Sequence, residues 1–168
     1  MSTYKISIII RTYNESKWLS ILLKAIKQQT LSVYEIIVID SGSNDGTKEI
    51  LKELYPEVIL LDYQGEKYLP GKAINQGIKA SSGEIICILS AHCIPVHNEW
   101  LENMVNDLAD NNNCAGVYSR QIPLSFSSNQ ALRDMSVIYS SESRWQFTDS
   151  YFNNASSIIW RRRWEDIE

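Results

Sequence analysis

Three polar clusters interrupt otherwise apolar runs, and each stands where a β-strand should give way to a helix. Arg11-Thr12-Tyr13-Asn14-Glu15 follows the β-branched run Lys5 to Ile10, Asp40-Ser41 ends Glu35 to Asp40, and Ser90-Ala91-His92 ends Glu84 to Leu89. In an open parallel sheet, ligands sit outside the carboxyl ends of the strands, so these clusters share one edge. A carboxylate there accepts from a base N–H or a ribose hydroxyl. An imidazole either ligates a metal or, when protonated, meets a phosphate. The combination suits a nucleotide. The first strand-to-helix turn lacks G-x-G-x-x-G, which argues against a dinucleotide site, and neither a P-loop nor a G-x-S-x-G elbow occurs.

Positioning these residues requires alternating strands and helices. Beyond the first strand, Glu15 to Gln29 places Trp18, Leu19, Leu22, Leu23 and Ile26 on one helical face, with Asn14 as the expected cap. Thr47 to Leu54 predicts a helix with Ile50, Leu51 and Leu54 inward, Val58 to Leu61 a third strand, and Lys72 to Ala80 a helix after the Pro70-Gly71 loop. The rhythm of strand, helix, strand predicts parallel pairing with right-handed crossovers, and strands apolar on both faces imply helices on each side. After His92 come a helix at Glu99 to Ala109, a strand at Ala115 to Ser119, a polar loop at Pro123 to Asn129, a helix at Gln130 to Ser140 and a strand at Ala155 to Trp160. One domain over residues 1–168 is the simplest organisation, and the pattern at Glu168 suggests a chain cut in mid-element.

Composition narrows the class. With 168 residues, 44% apolar and 21% charged, the chain has the make-up of an ordinary globular domain large enough for a real core. A net charge of −4 argues against nucleic acid as a partner. The one basic run, Arg161-Arg162-Arg163 between Trp160 and Trp164, is expected to be a solvated helix start. No apolar run reaches the ~18 residues of a membrane span and no signal-peptide pattern begins the chain, so cytoplasmic residence is the default. Cys87, Cys93 and Cys114 read as reduced thiols. Cys87, His92, Cys93 and His97 make a poor zinc set, because Pro95 interrupts them and Cys87 lies inside an apolar strand. His97 is expected in solvent, and Trp18 and Trp100 in the core.

Four ordered motifs carry a family resemblance: Ile8-Ile-Ile-Arg-Thr-Tyr-Asn-Glu15, Val38-Ile-Asp-Ser-Gly-Ser-Asn-Asp-Gly-Thr47, Gly71-Lys-Ala-Ile-Asn-Gln-Gly77 with Ser82-Gly-Glu84, and Ile88-Leu-Ser-Ala-His92. Their order and spacing resemble the family 2 glycosyltransferases of the GT-A fold. That fold is an α/β three-layer sandwich with a mostly parallel, Rossmann-like sheet. The resemblance is strong over Lys5 to Leu108 and looser over Phe152 to Trp164. It implies transfer of a sugar from a UDP- or dTDP-type donor to a glycan or lipid-linked hydroxyl, generally with a divalent metal, manganese or magnesium. The Asp40-Ser-Gly-Ser segment resembles members that build bacterial surface polysaccharides, rhamnosyltransferase-like ones included. Such work would place the domain in the cytoplasm, peripherally at the inner face of the membrane.

By position, the resemblance implies that Thr12, Tyr13 and Glu15 line the nucleotide pocket and that Asp40 holds the base. Asn75 and Lys72 would lie near the diphosphate or donor sugar; the family often has arginine where this chain has Ile74. Asp45 reads as structural, bonding loop amides near a helix start. The departure is at the metal motif, where Ser90-Ala91-His92 replaces the usual Asp-x-Asp. His92 is expected as a metal or phosphate ligand, manganese suiting an imidazole better than magnesium. That change also motivates a second reading, a non-catalytic nucleotide-sugar-binding module. A nucleotidyltransferase would need a Gly-rich basic loop that Arg11-Thr-Tyr-Asn14 does not supply. The general base of the family is a carboxylate, usually of a Glu-Asp pair. Glu165-Asp166 falls in the region preceding that motif and reads as structural, so the base is expected past Glu168.

Overall fold

The computed structural model describes residues 4–124, 127–139, 141–148 and 151–167. Its elements run β1 (Ile6–Thr12), α1 (Ser16–Lys27), β2 (Glu35–Asp40), α2 (Thr47–Leu54), β3 (Ile59–Asp62), α3 (Pro70–Ala80), β4 (Ile85–Ser90), α4 (Trp100–Ala109), β5 (Gly116–Tyr118), α5 (Asn129–Ile138), β6 (Ser156–Trp160) and α6 (Arg161–Glu165). The expected helix at Gln130 to Ser140 is α5, although Ser140 itself lies outside the described residues.

One sheet in the order β3-β2-β1-β4-β6-β5 carries everything. β1 pairs in parallel with β2 and β4, and β2 with β3, as the short crossovers demand. β6 enters antiparallel beside β4 and β5 antiparallel beside β6. Period-2 alternation sorts the strand side chains onto two faces. Ile6, Ile8 and Ile10 of β1 join Cys87 and Leu89 of β4 against Leu19, Leu22 and Leu23 of α1 and Leu101 and Leu108 of α4. Ile9, Ile37, Ile39, Ile86 and Ile88 point the other way, against Ala73, Ile74 and Ile78 of α3. The result is the expected three-layer sandwich. α3 packs so close that a Cβ at Gly77 would collide with Ile9 Cγ2, which explains a glycine in mid-helix despite its cost there.

Several local expectations change. α3 starts at Pro70 rather than Lys72, because proline is tolerated in the first turn, where its missing N–H has no partner to lose. Leu54 is 62% exposed, since α2 turns its last residue off the sheet, whereas Leu51 is buried and Ile50 packs against the core. Trp100 is core, Trp18 is only half-buried, and His97 is exposed. Arg161 is not a solvated charge. Its Nε donates to Gly83 O at 2.6 Å, both Nη groups to Ile78 O at 3.3 Å, and Nη2 to Ser81 Oγ at 2.5 Å. These bonds close the carboxyl end of α3, where carbonyls lack helical partners. Arg162 and Arg163 are exposed, as expected.

Candidate functional site

The register brings the strand ends together. Thr12 is the Cα partner of Asp40, Arg11 of Ser90 and Asp40 of Asp62, so the ends of β1, β2, β3 and β4 form a single edge. The antiparallel β6 starts there too: Ser90 N donates to Ala155 O at 2.9 Å, which sets Asn154 beside Arg11. Sequence reading did not reveal that neighbour.

The loops after β1 and β2 lock into each other. Asn14, at a left-handed φ of 55°, donates its N–H to Ser43 Oγ at 2.8 Å and accepts at Oδ1 from Asn44 N at 2.8 Å. Glu15 N donates to Thr47 Oγ1 at 3.1 Å, and Ser16 N to Asp45 Oδ2 at 3.0 Å. Asn14 therefore does not cap α1. An acidic side chain from the neighbouring loop satisfies the first-turn amide instead, and Asp45 is structural, as expected. Burial pushes the Asp45 carboxyl up, but the Thr47 hydroxyl and the Ser16 and Thr47 amides outweigh it and hold it down at about 2.

Asp40 anchors the second loop. Its carboxylate is sealed from solvent; Oδ1 accepts from Gly42 N at 3.0 Å and Ser43 N at 2.9 Å, and Oδ2 accepts from the Ser43 hydroxyl. Gly42 has φ 94°, the left-handed geometry this return demands. Lys48 of α2, which sequence reading passed over, stands 3.4 Å from Asp40 and 2.5 Å from Asp62. The signal was a lysine one residue into a helix that starts at the edge.

Glu15 and His92 meet. His92 Nδ1 lies 2.7 Å from Glu15 Oε1, the histidine side chain 58% exposed and the glutamate 22%. A carboxylate on Nδ1 fixes the ring and turns Nε2 outward. Beside them Arg11 Nη2 donates to Ser90 Oγ at 2.9 Å and to Asn154 O and Oδ1 at 3.3 and 3.4 Å. Burial pushes the thiol of Cys93 up, opposed by the charge of Arg11. Tyr13 stands 60% exposed above the edge.

Buried polar atoms without a partner gather here. Of five among the described residues, three are Arg11 Nε, Thr12 Oγ1 and Ser41 Oγ, on adjoining strand ends; the others, Ser157 Oγ and Trp160 Nε1, lie on β6. Buried donors and acceptors are rarely left unpaired, and such atoms are completed by bound water or by a ligand. Lys72 is exposed in the first turn of α3, on the edge side. Asn75 is not brought to the cluster. It lies about 4.5 Å beyond Lys72 along the helix axis and accepts the Trp164 indole N–H at 3.1 Å. Glu165 and Asp166 follow β6 to the opposite end of the sheet, where Trp160 pairs with Ile85.

The residues fit a divalent metal poorly. Among the described residues no three His, Cys, Asp or Glu side chains form a metal-holding group. At the β4 end the donors are one imidazole nitrogen and the Ser90 hydroxyl, which already accepts from Arg11. Magnesium asks for oxygen ligands, chiefly carboxylate, and among the described residues the only carboxylate touching His92 is tied to its ring.

The family model described as Glycosyl transferase family 2 matches residues 7–166. The chain belongs to glycosyl transferase family 2. Among curated members it is 39% identical over 111 residues to the glycosyltransferase AglE of Haloferax volcanii, covering 62% of this chain and 35% of that one. It is 32% identical over 164 residues to a dolichyl N-acetyl-alpha-D-glucosaminyl phosphate 3-beta-D-2,3-diacetamido-2,3-dideoxy-beta-D-glucuronosyltransferase of Methanococcus voltae, covering 89% and 50%. The chain thus spans half or less of these two family 2 relatives. A solved mannosyltransferase of Pyrobaculum calidifontis, in complex with GDP-Man and Mn2+, superposes with a TM-score of 0.74 at 21% identity, over 99% of this chain and 47% of that one. The family 2 domain thus has the GT-A fold. No helix among its described residues is long and apolar enough to cross a membrane.

Proposed function

We propose that this family 2 domain binds a nucleoside-diphosphate sugar at the carboxyl edge of its sheet and serves transfer of the sugar to a hydroxyl of a glycan or lipid-linked acceptor. The observation that carries this is the cluster of unpartnered buried polar atoms on Arg11, Thr12 and Ser41, set between two loops that brace each other. Thr12 and the exposed ring of Tyr13 receive the nucleoside, and Asp40 holds the base side of the pocket by fixing the Gly42 and Ser43 amides of the loop above it. Glu15 holds His92 so that Nε2 faces the diphosphate, with Ser90 beside it. Lys72 lies on the donor-sugar side. A metal is given no step, since the donor set fits one poorly.

In the transfer itself an acceptor oxygen forms a bond to the anomeric carbon as the bond from that carbon to the diphosphate oxygen breaks. The bonding electrons leave with the nucleoside diphosphate, the acceptor proton goes to a general base, and attack from the opposite face inverts the anomeric centre. The donor is read as UDP- or dTDP-type, as the resemblance of its motifs implies. A lipid-linked acceptor would hold the domain at the cytoplasmic face of a membrane. Calorimetric titration of UDP, dTDP and GDP tests the reading: one should bind in the micromolar range, and Thr12→Val should weaken it. Failure of all three, with and without manganese, overturns it.

A further inference from the structure

We propose that Arg11 is the resident cation for the donor diphosphate, so that this domain binds a nucleoside diphosphate without a divalent metal. The inference deepens the nucleotide-sugar reading and rests on it. It starts from a charge count at the β4 end. Among the described residues every acceptor for Arg11 is neutral: the Ser90 hydroxyl and the carbonyl and side-chain oxygens of Asn154. Among the described residues no carboxylate pairs with the guanidinium, and the nearby Glu15 is turned to His92.

The guanidinium is also incompletely bonded. All three contacts come from Nη2, while Nε is sealed from solvent and, among the described residues, has no acceptor. A planar fork with spare donors and an uncompensated charge is matched by a phosphate, which supplies oxygens and negative charge together. Position 90 decides whether that charge is available. Ser90 is the Cα partner of Arg11, and its side chain reaches the guanidinium at 2.9 Å. A carboxylate at the same position would neutralise Arg11 and leave the edge in need of a metal to offset a diphosphate. Serine leaves the arginine charged, with its Nε unbonded among the described residues. The residue change that removes a metal ligand therefore also frees a cation, and the two consequences compensate.

The test is calorimetry of the whole chain with matched pairs, UDP and uridine, dTDP and thymidine, GDP and guanosine, in EDTA and in manganese. The pair that binds should do so in EDTA within about threefold of its affinity in manganese. Arg11→Gln should weaken the diphosphate about 10- to 100-fold and the nucleoside less than about twofold, and Arg11→Lys should recover much of the loss. Ser90→Asp, which keeps the arginine but pairs it, should weaken the diphosphate in EDTA. Circular dichroism establishes that each variant is folded. Should Arg11→Gln not fold, the lysine and aspartate variants decide alone. Binding that requires manganese overturns the inference and leaves the donor reading intact. Equal loss of diphosphate and nucleoside assigns Arg11 a structural role and also overturns it. No binding of any pair in either buffer overturns the donor reading itself.

Discussion

Arg161 at the amino edge of the sheet and Arg11 at its carboxyl edge are both half-buried, yet their surroundings are opposite. Arg161 spends Nε and both Nη groups on Gly83, Ile78 and Ser81, and the groups around it are closed as well. The Ser7 hydroxyl donates to Glu35 at 2.6 Å and accepts from Gly83 N at 2.8 Å, and Ser82 N donates to Glu35 at 2.6 Å. Trp160 Nε1 is the exception at that end. At the carboxyl edge Arg11, Thr12 and Ser41 each keep an unpartnered atom. Among the described residues, three of the unpartnered atoms lie at the carboxyl edge and one at the amino edge.

That contrast can be broken by mutation. Arg161→Ala should cost the largest stability, about 3 kcal/mol in urea unfolding, since it strips several bonds to carbonyls from one charged group. Nucleotide affinity should not change. A comparable loss from Arg11→Ala would erase the distinction between the edges. Ser7→Ala should cost about 1–2 kcal/mol by leaving Gly83 N unsatisfied. The Glu35 carboxyl is pushed up by burial but held below its ordinary value by Ser7, Ser82 and Gly83. Its contribution is full above the ordinary carboxylate pKa and fades as pH falls, so the variant should show a flatter acid limb.

Asp45→Asn should cost about 1 kcal/mol, the usual value of a helix cap. The Asp45 carboxyl lies at about 2 in the folded chain against an ordinary 3.8. Its stabilisation is present above pH 3.8 and lost as pH falls through 2, and unfolding titrations of the variant should lack that step. The smallest stability effect belongs to Thr12→Val, within about 0.5 kcal/mol in either direction, because its hydroxyl has no bond to lose. Its effect on nucleotide affinity should be the larger one, and a variant that is destabilised without a change in affinity would move Thr12 to the structural side.

Much of this was legible where physics is local. β2 and α2 have the expected bounds, because an apolar run ends in a carboxylate and a glycine-bearing turn before a helical pattern starts. Thr12, Glu15, Asp40, Ser90 and His92 were marked by standing at strand ends. What stayed hidden depends on distant pairings. Glu15 and His92 are 77 residues apart, Arg11 and Ser90 79, Arg11 and Asn154 143. Periodicity shows that a strand exists but not which strand lies beside it, so Ser90 meets Arg11 only through the pairing of β1 with β4, and Asn154 only through the arrival of β6. Asn75 shows the converse: its motif suggested the site, and the long-range Trp164 contact gives its carbonyl another partner.

The mutual bracing of the loops after β1 and β2 has a consequence for how occupancy would be paid for in entropy. A binding loop that must be ordered by its ligand subtracts that ordering from the affinity. Here Asn14 already holds Ser43 and Asn44, and Asp45 already holds Ser16. A donor would enter a crevice whose shape precedes it, and the free energy of its contacts would appear almost undiminished as residence time.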